Sequence, residues 1–126
     1  MDGIYDAAAA IRSAKDTRML KVIKLLHSAV WLFMVSCILL IPWAALERRF
    51  HLAALLVAVI LIECAVLAVN GGKCPLTSIA AQYTEDRADN FDIFLPLWLA
   101  RYNKEIFGVL FLCGTTFALV RWLASN

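Results

Sequence analysis

No Cys-x-x-Cys pair occurs in this sequence, although it holds four cysteines, Cys37, Cys64, Cys74 and Cys113. The spacing that supports a zinc site or a thioredoxin-type centre is therefore missing. Charge is scarce as well: 17% of residues are charged and the formal net charge is only +2. No strong basic field points to nucleic acid, and no RNA- or DNA-binding motif is present. The first 24 residues lack a long apolar run, being interrupted from Asp2 and Asp6 through Arg12, Lys15, Asp16, Arg18 and Lys21 to Lys24. That is not the pattern of a signal peptide, and insertion without cleavage is expected. The acids Glu85, Asp86, Asp89 and Asp92 around Arg87 lack the alternation and glycine of an EF-hand loop. Local ion pairs and helix caps account for them, with Asp89 or Asn90 placed to cap a helix starting near Phe91.

What the chain has is apolar surface. Of its 126 residues 63% are hydrophobic and the mean hydropathy is +0.77, against about 45–50% apolar in ordinary soluble domains. A soluble domain this small could not bury so much, so the expected solvent is a bilayer. Residues 25–46 contain no Asp, Glu, Lys or Arg, and about 20 apolar residues suffice to cross the hydrocarbon core. Trp31 and Trp43 lie toward opposite ends of this span, as interfacial aromatics do. A second span covers 51–69 and carries one charge, Glu63; a third covers 105–123, with Arg121 able to snorkel. The short link at 47–50 makes the first two spans an antiparallel hairpin. Asn70, Gly71 and Gly72 close the second helix.

Two shorter segments between residues 75 and 102 are amphipathic. Leu76, Ile79, Ala80 and Tyr83 share one helical face, and Pro75 suits the first turn. Residues 91–102 are read as an interfacial or re-entrant helix, with a kinked fourth span as the alternative. Residues 1–24 form a polar helical segment able to continue into the first span. The expected fold is all-α: a single membrane domain with three transmembrane helices, an N-terminal helix and two interfacial helices. Nine of the twelve Lys and Arg residues fall on the side of the N-terminus and the long loop, which predicts that both are cytoplasmic.

Three residues stand out for chemistry. Glu63 is a carboxylate within a span, where such groups face protein or water and usually have a role; the plainer alternative is a neutral packing residue. His27 and His51 begin successive antiparallel spans, so about 25–30 Å separates them and one haem cannot take both. A single-His tetrapyrrole on His27 remains a weak option beside an ordinary interfacial histidine. Cys74 follows Lys73 and precedes a helix start, both of which lower a thiol pKa; the alternative is a small residue at a tight turn. Cys37, Cys64 and Cys113 fall near one depth, where packing is the expected role and a thiol cluster the remote one.

The stretch NGGKCPLTSIAAQYTEDRADNFDIFLPLWLARYNKEIFG resembles the signature segment of a group of small, uncharacterised bacterial integral membrane proteins. In that group a CPLT box after an apolar span is followed by an acidic loop, an NFDIFLP-like segment and a last span. The resemblance implies a compact helix bundle in the bacterial inner membrane and implies no activity. The two amphipathic pieces then form a surface, with Leu76, Phe94, Trp98, Arg101 and Tyr102 as its candidate ligand or partner contacts. Three functions are compatible with these residues. The favoured one is an accessory or scaffolding subunit, associating with other membrane subunits or with itself. The others are a lipid- or quinone-binding protein, and an enzyme or redox protein using Cys74 or a His-bound cofactor. No cofactor or metal is expected, and an enzyme is not the favoured reading.

Overall fold

A computed structural model describes residues 2–125. The described residues contain five helices and no strand. They are α1 (Asp2–Leu46), α2 (Phe50–Val69), α3 (Pro75–Ala80), α4 (Leu97–Arg101) and α5 (Asn103–Ser125). Three of them, α1, α2 and α5, are long and apolar enough to cross a membrane. The polar N-terminal segment is not a helix of its own. It runs unbroken into the first span, so that α1 extends for 45 residues, or about 68 Å. That is more than twice the thickness of a hydrocarbon core.

α1 is the central element. Both α2 and α5 pack along it, and α3 lies against it. Its buried residues Cys37, Ile38, Ile41, Ala44 and Ala45 follow helical spacing and form one stripe clustered with Ala53, Leu56 and Ile60 of α2 and Ala118 of α5, and Ile23 is buried separately, nearer the start of α1. Small residues permit the close approach of the helices. A Cβ added to Gly114 of α5 would stand 3.3 Å from the Pro42 ring of α1.

Both ends of the hairpin are closed by backbone geometry. At the end of α2 the Gly72 N–H donates to the Leu67 carbonyl at 2.7 Å, with Gly71 at φ +71°. At the end of α1 the Arg49 N–H donates to Ala44 and the Arg48 N–H to Ala45. These are the bonds of Schellman motifs. In the second one the left-handed position is taken by Arg48, at φ +58°, instead of by glycine. Arg121 donates to the carbonyls of Ala45 and Leu46, satisfying acceptors that the end of α1 leaves open.

The expected pair of interfacial helices at 75–102 is much reduced. α3 has six residues and α4 only five, and residues 81–96 between them are irregular. Residues 91–102 do not form a fourth span. The reason is Pro96, which occupies the N-cap of α4: a proline disfavours helical geometry at the residue before it, so a helix cannot run from Phe91 through it. No helix starts at Phe91 for Asp89 or Asn90 to cap. Arg87 also departs from expectation. It donates to the carbonyls of Ala81, Thr84 and Asp86 and stacks on Phe91, while the ion pair of this loop joins Asp89 to Arg101 at 2.8 Å.

Candidate functional site

The hairpin sets the level of the site. His27 lies nineteen residues before the end of α1, and α2 runs back for twenty, so the end of α2 returns to the level of His27. The glycine turn then carries Cys74 and α3 toward α1. Asn70 fastens this turn, its side-chain amide donating to the Lys73 carbonyl and to Ser78 Oγ. Lys104, at the start of α5, donates to the Gly72 carbonyl. Three chain segments thus meet around one level of α1.

His27 continues the buried stripe of α1, one turn beyond Ile23. Its Nδ1 lies 3.1 Å from the main-chain carbonyl of Asp92 and 3.3 Å from the Asp92 carboxylate. A carbonyl oxygen only accepts, so Nδ1 of His27 carries a hydrogen and donates to Asp92. The same carboxylate accepts from Thr77 Oγ1 of α3. Next along α1, Ser28 Oγ accepts from the Phe94 N–H at 2.9 Å and donates to the Lys24 carbonyl. Two consecutive residues of α1 therefore hold the 92–94 segment in place. Asp92 and the adjacent Ile93 are each only 5% exposed. Burial works against the ionised Asp92 carboxyl, but the bonds from His27 and Thr77 outweigh it and hold the group below its ordinary range.

Cys74 is the third member. It is a free thiol, half-buried, at the N-cap of α3. Burial pushes its pKa up. The neighbouring His27 side chain and the Leu76 N–H outweigh that push, and the thiol is held below its ordinary 9.0. The sulfur does not complete a cap hydrogen bond of ordinary geometry. The charge of Glu63 acts on the same thiol in the opposite direction. Glu63 shares a face of α2 with Asn70, seven residues on. It stands about 9 Å before the end of the helix on the Cys74 side, and is thus displaced from the middle of the span toward the site.

Compared with known proteins, the chain matches no family model, no curated protein and no solved structure.

Cys74 is a half-buried thiol influenced by the His27 side chain, and Asp92 occupies Nδ1 of that ring; these are the residue types of nucleophile, base and orienting group. Nδ1 of His27 is engaged by Asp92, so a tetrapyrrole held by His27 would have to take Nε2. Among the described residues no group of three or more His, Cys, Asp or Glu is arranged to hold a metal ion.

The other sequence candidates lie around this centre. Leu76 is half-buried in α3, while Phe94, Trp98 and Tyr102 are exposed. Arg101 is engaged by Asp89. His51 is exposed in the first turn of α2, at the opposite end of the hairpin. Cys37 is buried, whereas Cys64 and Cys113 are exposed, so the three spans do not gather their thiols in one core. Trp31, read as an interfacial anchor, is half-buried instead; its indole donates to Asn103 at 2.7 Å and its ring meets Phe107 edge-on. A shallow apolar groove lined by Ile38, Pro42, Cys113, Gly114 and Phe117 begins about 17 Å farther along α1 from His27.

Sequence reasoning took Cys74 and His27 one at a time and missed their partnership. The signal was the hairpin register, which returns the end of α2 to the level of His27. It also passed over Asp92 and Thr77 as members of the site. Asp92 had a signature of its own: a single acid set among Phe91, Ile93 and Phe94 reads as an inward-facing charge in need of a partner.

Proposed function

We propose that this protein is a thiol-dependent acyl-transfer enzyme working at a membrane surface. Cys74 is its nucleophile, His27 its general base and acid, and Asp92 the group that orients His27. One observation carries the reading: the Nδ1–H of His27 is committed to Asp92, while the turn after α2 carries the free, half-buried thiol of Cys74 back toward the level of His27. In this scheme His27 Nε2 takes the thiol proton as sulfur attacks a carbonyl carbon. The proton then passes to the leaving group as the carbon–heteroatom bond breaks. Thr77 donates to the same carboxylate and holds it beside His27.

The topology that accompanies this reading has the N-terminus and the 70–104 loop in the cytoplasm of a bacterial inner-membrane protein. It rests on the excess of Lys and Arg on that side. A cytoplasmic site stays reduced, as a nucleophilic thiol requires.

The test is capture of the acyl-enzyme. Purified protein exposed to a water-soluble activated short-chain ester should show a burst of leaving group and a hydroxylamine-sensitive mass increment on Cys74. Both should be lost in Cys74→Ala and strongly reduced in His27→Gln. An increment spread over all four cysteines and unaffected by His27→Gln would refute the assignment.

A second reading, a subunit that assembles with other membrane proteins or with itself, draws support from a different region. Ile4, Tyr5 and Ile11 are each more than 70% exposed on the polar half of α1, outside the charge-free run that begins at Leu25. Co-purification in mild detergent, compared between the full chain and an Ile4→Ser/Ile11→Ser variant, tests it.

A further inference from the structure

We propose that the acyl donor of this site is a glycerophospholipid, which enters sideways from the bilayer and is oriented through its phosphate by Lys24. This rests on the reading of Cys74 as a nucleophile and adds the class of substrate.

Depth is the first argument. The charge-free run of the first span begins at Leu25, so His27 lies about 3 Å inside it. Groups at that level stand at the boundary between hydrocarbon and head groups. The ester carbonyls of a glycerophospholipid lie at the same boundary, between its phosphate and its chains. A water-borne substrate would have to leave water to reach this level, whereas a lipid ester already lies there.

Lys24 supplies the second argument. It is the last cation before the apolar run, one turn toward the water from His27 and on the same side of α1. Its ammonium is held 4.8 Å above the ring of Phe94, and Phe94 is docked by Ser28 next to Asp92. Lys24 takes part in neither of the carboxylate pairs formed among the described residues. A cation thus stands one turn to the water side of His27, and apolar helix surface lies on the other side. A glycerophospholipid has the same order along its length: phosphate, ester carbonyl, hydrocarbon. The exposed side chains of Ile79, Phe94 and Leu97 give the acyl chain an apolar surface around the site in place of water.

The step balances without a further reactant. The Cys74 sulfur bonds to the ester carbonyl carbon, the bond from that carbon to the glycerol oxygen breaks, and His27 returns the thiol proton to that oxygen. The products are a Cys74 thioester and a lysophospholipid. Water attacking the thioester, with His27 taking and returning its proton, releases a fatty acid and restores the thiol.

The experiment places the full chain in phosphatidylglycerol vesicles whose acyl chains are isotopically labelled, and follows intact protein mass and lysolipid release. The soluble short-chain ester is run in parallel on the same preparations. The expected result is a labelled thioester in the wild type that is absent in Cys74→Ala. In Lys24→Gln, lipid turnover should fall at least tenfold relative to turnover of the soluble ester. Cys74 acylation by the soluble ester without any labelled lipid adduct overturns the lipid substrate and leaves the nucleophile standing. Acylation by neither overturns both. An equal lipid rate in Lys24→Gln overturns the phosphate contact.

Discussion

His27 Nδ1 lies 3.1 Å from the main-chain oxygen of Asp92, a residue 65 positions away in the chain. A main-chain acceptor cannot change its protonation state, so the hydrogen on His27 Nδ1 and the orientation of the ring are held by the fold and not only by the charge of Asp92. The carboxylate adds a second acceptor at 3.3 Å, and Thr77 holds it in turn.

Removing the charge while keeping the shape separates these two contributions. Asp92→Asn retains the main-chain acceptor and loses the anion. The reactivity of Cys74 toward iodoacetamide at neutral pH should fall by about tenfold, which corresponds to about one pKa unit of the thiol. A larger loss in His27→Gln should accompany it. Unchanged reactivity in both variants would remove His27 and Asp92 from any role in activating the thiol.

The lowered pKa of Cys74 also makes stability depend on pH. A group depressed in the folded state stabilises it fully above its unfolded value, here 9.0. That contribution disappears as pH falls through the folded value. The melting temperature of wild type minus that of Cys74→Ala should therefore grow as pH rises from neutrality toward 9.0 and then level off. The corresponding loss for Asp92 falls in acid, below its ordinary 3.8. A difference in melting temperature that shrinks with rising pH would contradict the sign.

Glu63 opposes ionisation of the same thiol. Glu63→Gln should accelerate alkylation of Cys74 below pH 9.0 and move its titration midpoint down. If Glu63 only packs between helices, the substitution should leave both quantities where they are.

Arg48 holds a left-handed backbone position at φ +58° in the Schellman turn after α1, where glycine is free of strain. Arg48→Gly should stabilise the protein by about 1 kcal/mol, read as a rise in melting temperature in detergent. A fall would show that the Arg48 side chain contributes more than its backbone strain removes.

Topology is read from Cys74 in a background where Cys37, Cys64 and Cys113 are replaced by serine. An impermeant maleimide should leave intact cells unlabelled and label Cys74 after lysis. Labelling of intact cells would place the thiol outside and reverse the orientation.

Much of the architecture follows from residue order alone. Charge-free runs of bilayer length fix the spans, because unpaired charges and open backbone groups are too costly in hydrocarbon. The link at 47–50 makes a hairpin, and Gly71 and Gly72 end α2 because they accept positive φ. Pro96 is also a break visible in the sequence, and it excludes a helix running on from Phe91. The site is different in kind. Cys74, His27, Asp92 and Thr77 come from a loop, the central helix, an irregular segment and a six-residue helix, and no periodicity relates them. Their meeting depends on where the turn after α2 settles and on Ser28 and His27 of α1 capturing the backbone at 92–94. Local sequence encodes helices because their hydrogen bonds close within a few residues; the bond between His27 and Asp92 closes across 65, and only the packed bundle brings its two ends together.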